Sequence, residues 1–195
     1  MIDLQIYLEN KLRDIISKWV EKDIYAISFL VYSNEAYEYD GYSNITKFSV
    51  SYNTEKDCNG ADGLSEKRWN YAFWRQDEIP IIDIGNKGIR ILFDWYKENH
   101  IDNIGYEDFG TCYDDQMRYI GKGPVGYYEL LLEITSVAKR LQDSGFIEKK
   151  FRAPIPIIIH DLEYSWYTIE ATREANPNGE AAMFFAAMNK LGFMG

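Results

Sequence analysis

The chain predicts an α+β fold: one domain spanning residues 1–195, with a mostly antiparallel sheet packed against several amphipathic helices. Three observations carry that reading. Apolar residues return at three- and four-residue intervals in several long stretches, the period of a helix face turned toward a core. Between them lie shorter runs rich in β-branched and aromatic residues, the composition of strands. No internal repeat, low-complexity run or linker divides the 195 residues, a length at which one core hides roughly 70% of the unfolded surface.

The elements follow in order. Over 2–22, Leu8, Leu12, Ile15, Ile16, Trp19 and Val20 keep helical spacing and predict a first helix. The runs 24–32 (IYAISFLVY) and 45–52 (ITKFSVSY) read as strands that pair as antiparallel neighbours. The polar stretch between them holds Asp40-Gly41, which suits a turn. Residues 53–66 read as a loop, and 67–74 (KRWNYAFW) leads into 79–84, where Pro80 argues against a central strand position.

Helical spacing returns in 86–99 through Ile89, Leu92, Phe93 and Tyr96, and in 127–142 through Leu130, Leu131, Ile134, Val137, Ala138 and Leu141. Gly145, just beyond, suits a left-handed helix stop. The apolar run 154–160 (PIPIIIH) reads as a buried strand, and 164–175 and 180–191 as helices, with Pro177 expected in the first turn of the last. That last helix is apolar nearly all round and is expected in the core. A homodimer contact through Met183, Phe184 and Met188 is the alternative.

Thirty-one Asp and Glu against 21 Lys and Arg give a net charge of −10, which repels phosphate backbones and anionic lipid and disfavours nucleic-acid binding. No stretch reaches the roughly 20 apolar residues that span a bilayer, so no membrane partner is expected. Cys58 and Cys112 form no CxxC pair, and the first residues lack the basic-then-apolar order of a signal peptide. A cytoplasmic setting is expected.

The motifs that suggest ligands fail on context, and no cofactor is expected. Gly121, Gly123 and Gly126 spell GxGxxG ahead of a helix, but the polar residues before them make no strand, so an ordinary turn is expected rather than a nucleotide site. The loop 57–63 lacks the alternating oxygen ligands of a calcium site: Ala61 stands fifth and Arg68 twelfth. Cys58, His100, Cys112 and His160 are too scattered to nucleate zinc, and no spacing recommends Cys112 with His160 as nucleophile and base.

Two polar patterns are left as candidate sites. His160, Asp161 and Glu163 emerge directly from a buried strand, where titratable groups are able to serve acid–base chemistry. The plainer reading gives His160 a hydrogen bond to a carbonyl and lets Asp161 cap the following helix. The second pattern interleaves acid with tyrosine. Glu35, Glu38 and Asp40 stand beside Tyr37, Tyr39 and Tyr42, while Glu107, Asp108, Asp114 and Asp115 stand beside Tyr106, Phe109 and Tyr113. Neither 33–46 nor 101–115 contains Lys or Arg. Carboxylates steer a basic partner, and tyrosines give rigid contact area.

The segments WNYAFW (69–74), YIGKGPVGYYELL (119–131) and PIPIIIHDLEYSWYTIEATREANPNGEA (154–181), in this order, resemble an uncharacterised bacterial family, domain of unknown function 4303. The resemblance covers the chain from roughly the first strand onward and implies a small stand-alone domain with no established activity or site residues. Similar small acidic families resemble immunity proteins of bacterial toxin systems, an analogy that favours partner binding. The expected function is therefore a non-enzymatic, immunity-like domain that engages a basic protein. The alternative is a hydrolase-type enzyme with its site near His160, Asp161 and Glu163.

Overall fold

Helix α1 (Leu4–Lys18) opens on Asp3, whose carboxylate accepts the Ile6 N–H at 2.9 Å and so satisfies a first-turn donor. It leads into strands β1 (Ile24–Asn34) and β2 (Ile45–Thr54). A short helix α2 (Glu66–Trp69) and a 3-10 turn (Tyr71–Phe73) precede β3 (Ile79–Ile82) and α3 (Lys87–Glu98). Helices α4 (Tyr127–Asp143) and α5 (Phe146–Phe151) then run into β4 (Ile157–His160), α6 (Trp166–Ala175) and α7 (Ala182–Leu191). The computed structural model describes residues 3–34, 45–102, 104, 116 and 123–193.

The strands form one sheet in the order β3-β2-β1-β4. β1 and β2 are antiparallel, as are β2 and β3, whereas β4 lies parallel to β1. The α+β architecture with a mostly antiparallel sheet is thus as the sequence predicts. Pro80 sits in β3 at the sheet edge, where its missing N–H breaks no ladder between two neighbours.

Side-chain alternation divides the core between the two sheet faces. Ile27, Phe29 and Val31 of β1, with Ile157 and Ile159 of β4, join the larger cluster, to which α1, α3 and α4 bring Leu8, Leu12, Ile16, Leu92, Tyr96, Leu130 and Ile134. Ala26 and Ile158 belong to the other cluster with Trp69, Trp74, Phe184 and Met188. The helix α3 lies close to β3 because Gly88 permits it: a Cβ there would stand 2.2 Å from the Ile81 carbonyl oxygen.

Among the described residues the outer edge of β4 carries no strand, and α6 covers it instead. Thr172 Oγ accepts the Ile159 N–H at 2.9 Å and donates to the Ile159 carbonyl at 3.0 Å. One helical turn later, Asn176 Oδ1 accepts the Ile157 N–H at 2.9 Å and its Nδ2 donates to the Ile157 carbonyl at 2.8 Å. Helix residues four apart therefore satisfy strand residues two apart, because one helical turn (about 5.4 Å) and two strand residues (about 6.6 Å) advance by similar lengths. The side chains take the place of a fifth strand and close an edge that would otherwise invite pairing with another chain.

Three local expectations are corrected. The first helix ends at Lys18, and Trp19 is extended (φ −66°, ψ 132°), so Val20 falls outside the helical face and is 85% exposed. Pro177 is not in the first turn of the last helix: α7 begins at Ala182, and Pro177 lies in the preceding turn. Of the three residues offered for a dimer contact, Phe184 and Met188 are buried in the core, and only Met183 is exposed.

Candidate functional site

β1 and β4 run parallel, so their C-terminal ends share one end of the sheet with the start of β2. His160 is the last residue of β4 and is fully buried. Its Nδ1 lies 2.9 Å from the Asp161 carbonyl oxygen, an acceptor only, so Nδ1 carries the proton. Nε2 is then the acceptor for the Ser28 hydroxyl on β1, 2.7 Å away. Rings of Tyr71 and Trp74 stand 5.0 and 5.1 Å from the imidazole, with Tyr164 at 6.3 Å. This desolvation lowers the His160 pKa from 6.5 to about 4, so the ring is neutral at pH 7.

Ser28 to His160 has the connectivity of a nucleophile and its base, with a backbone carbonyl where a third, orienting carboxylate often stands. Both side chains are sealed, however, Ser28 being 2% exposed. A substrate carbonyl has no approach to the serine oxygen. The pair ties β1 to β4 within the aromatic core.

Asp161 turns away from His160. It lies beside Tyr127, whose hydroxyl donates to the Val31 carbonyl at 3.1 Å, and Tyr127 packs edge-on against Tyr167. Burial raises the Asp161 pKa, opposed by the hydrogen bond from the Leu162 N–H at 2.6 Å and by the nearby Tyr127 hydroxyl. Asp161 does not cap α6. Ser165 does so, with its Oγ accepting the Thr168 N–H while the Thr168 hydroxyl oxygen accepts the Ser165 N–H.

Glu163 is exposed and borders a cavity of about 440 Å³ whose walls include Tyr71, Tyr164, Leu162 and Met188. His160 thus stands apart from Asp161 and Glu163, although Glu163 is near enough for its charge to help raise the Asp161 pKa. The three side chains are not brought together as an acid–base site.

Glu35, Tyr37, Glu38, Tyr39, Asp40, Tyr106, Glu107, Asp108, Tyr113, Asp114 and Asp115 lie outside the described residues, as do Tyr42, Phe109 and Cys112. The residues that bracket them are described. The β1–β2 ladder ends at Asn34 opposite Ile45. Ile104 is buried, and a Cβ on Gly126 would come within 2.7 Å of its side chain. The Tyr96 hydroxyl donates to the Gly126 carbonyl at 3.0 Å, and Tyr127 reaches Val31 of β1. Asn34, Ile45 and Ile104 therefore lie toward the sheet end from which Asp161 emerges.

Many cations of the described residues are already neutralised. Arg140 and Arg13 share Glu9, which they hold below the usual carboxylate range against its burial. Lys47 pairs with Asp83 at 2.7 Å, Arg75 with Asp77, and Arg68 with Glu55. The Arg68 guanidinium also lies 4.1 Å over the Tyr25 ring.

Among the described residues no three of His, Cys, Asp and Glu group to hold a metal, and no helix is long and apolar enough to cross a membrane. Cys58 is buried and free, its thiol donating to the Glu55 carbonyl at 3.3 Å. In the loop expected not to bind calcium, the Asp57 carboxylate accepts from Thr54 and that of Asp62 from the Leu64 N–H. Gly126, the last glycine of GxGxxG, is the N-cap of α4, where the Glu129 carboxylate already accepts its N–H at 2.6 Å. The chain matches no family model, no curated protein and no solved structure.

Proposed function

We propose that this chain is a non-enzymatic protein-binding domain that engages a basic protein, in the manner of an immunity protein, with the cytoplasm as its setting. The observation that carries the reading is the distribution of charge. The stretches 33–46 and 101–115 hold eight acids and no Lys or Arg, against a whole-chain net charge of −10. Asn34 and Ile45 close the β1–β2 ladder, and Ile104 lies against Gly126, next to Tyr127, whose hydroxyl reaches Val31 of β1. Runs of carboxylates without interspersed cations accelerate encounter with a basic surface, and tyrosines among them supply contact area after encounter.

The hydrolase alternative has less support, because His160 and Ser28 are both sealed. The resemblance noted above adds no site residue to either reading. With the partner in hand, the association rate is expected to fall steeply as salt rises toward the physiological range, where the screening length is about 8 Å. Reversal of Glu107, Asp108, Asp114 and Asp115 to lysine is expected to weaken the complex by about 100-fold or more in a surface-plasmon titration. Unchanged affinity in that variant counts decisively against the reading.

A further inference from the structure

The cavity beside α7 has a chemistry of its own. Its volume of about 440 Å³ lies in the range of small-molecule sites. Its walls are aromatic and aliphatic, and two of them are fixed. The Tyr164 hydroxyl donates to the Trp69 carbonyl, and its ring packs against Phe184 at 5.3 Å. The Tyr71 hydroxyl donates to Glu78 Oε1 at 2.8 Å. With both hydroxyls committed elsewhere, the phenol rings offer the cavity surface without a free polar handle. Met188, 1% exposed, completes this apolar part.

Two exposed carboxylates, Glu66 and Glu163, border the same cavity, and among the described residues no Lys or Arg lines it. Glu66 accepts one hydrogen bond, from the neutral amide of Asn70 at 2.8 Å, and that amide is held in turn by the Ala72 N–H on its oxygen. Glu163 forms no hydrogen bond or ion pair among the described residues. Elsewhere Glu9, Glu55, Asp77 and Asp83 each have an Arg or Lys partner. The cavity therefore joins a preformed apolar interior to two carboxylates that have no cation partner among the described residues.

We propose that this cavity binds a small organic cation of the arylalkylammonium class, its ring against Tyr71, Tyr164 and Met188 and its ammonium between Glu66 and Glu163. The class follows from what each alternative leaves unsatisfied. An organic anion meets two like charges. A neutral apolar molecule leaves both carboxylates without a counter-charge. A bare metal ion finds two carboxylates and, among the described residues, no third His, Cys, Asp or Glu, and the Asn70 amide oxygen is already taken by the Ala72 N–H. An ammonium on an apolar body satisfies both halves, and the rings add the attraction of their faces for a cation. The site uses only described residues and stands or falls separately from the basic-partner reading.

The test is calorimetric titration of the purified full chain with phenethylammonium, beside 2-phenylethanol and 3-phenylpropionate as neutral and anionic probes of similar shape. The amine is expected to bind saturably at one site, the alcohol about 10-fold more weakly, and the carboxylate more weakly still. Glu163→Gln is expected to lower the amine affinity about fivefold, and Glu66→Gln with Glu163→Gln to bring it to that of the alcohol. Both positions are exposed, so the variants are expected to retain the fold, with circular dichroism as the check. Glu180→Gln, just before α7 and outside the described lining of the cavity, is expected to leave binding unchanged. No saturable amine binding up to about 10 mM, equal affinities for amine and alcohol, or wild-type binding by the double variant would each overturn the proposal.

Discussion

Replacement of Asn176 by alanine is expected to lower folding stability by about 4 kcal/mol, read from the urea midpoint at constant m value. The side chain is 5% exposed and uses its full capacity of two donors and two acceptor positions. It bonds the Ile157 N–H and carbonyl, the Thr172 carbonyl at 2.7 Å, and Gln142 Nε2 at 3.0 Å. Alanine leaves those groups buried without partners, at about 1–3 kcal/mol each where no water reaches them, and partial relaxation keeps the sum near the value given. Thr172→Val, which keeps the shape and removes the hydroxyl that serves Ile159, is expected to cost about 2 kcal/mol. The two changes open the same edge, so aggregation on mild heating is expected to rise in both. A loss below about 1 kcal/mol for Asn176→Ala would mean that α6 does not close this edge.

Stability is expected to fall as pH drops from about 6.5 toward 4, through the single buried imidazole of His160. Its folded pKa of about 4 lies below the ordinary 6.5, so in that window the unfolded chain binds a proton that the folded chain excludes. Unfolding is therefore favoured by acid. The contribution is complete above pH 6.5 and is lost as pH falls through the window, amounting to about 3 kcal/mol at most. Protonation would also break the bond that Nε2 accepts from Ser28. Carboxylates add their own slope, so the informative quantity is the difference between wild type and His160→Gln in urea unfolding from pH 4 to 8. The variant is expected to lack this component. Parallel profiles for the two proteins would show that His160 does not titrate as its burial requires.

Local periodicity made most elements legible. The spacing of Leu130, Leu131, Ile134, Val137 and Ala138 marks α4, and Pro80 already implied an edge strand. Features that depend on distant segments were not legible. The Ile-rich run before His160 is apolar at every position, so it hides which residues face which layer, and nothing local shows that β4 pairs parallel to β1. Asn176 stands just past the helix expected over 164–175, yet its main work is on Ile157, 19 residues away. The only available signal was a polar pair four residues apart, Thr172 and Asn176, on a helix following an unpartnered apolar strand. His160 stands at a strand exit, as its place after the apolar run implies, but its aromatic surroundings come from Tyr71, Trp74 and Tyr164. The cavity beside Glu163 likewise required Tyr71 and Met188 to meet in space.

The most direct test of the central claim is capture from native host lysate with the wild-type chain and the fourfold charge-reversed variant as parallel baits, eluted by rising salt and identified by mass spectrometry. A single basic protein held by the wild type, released by salt and missing from the variant is the expected result. Identical proteins on both baits, or capture that salt does not disturb, would contradict a binding function built on the acidic stretches.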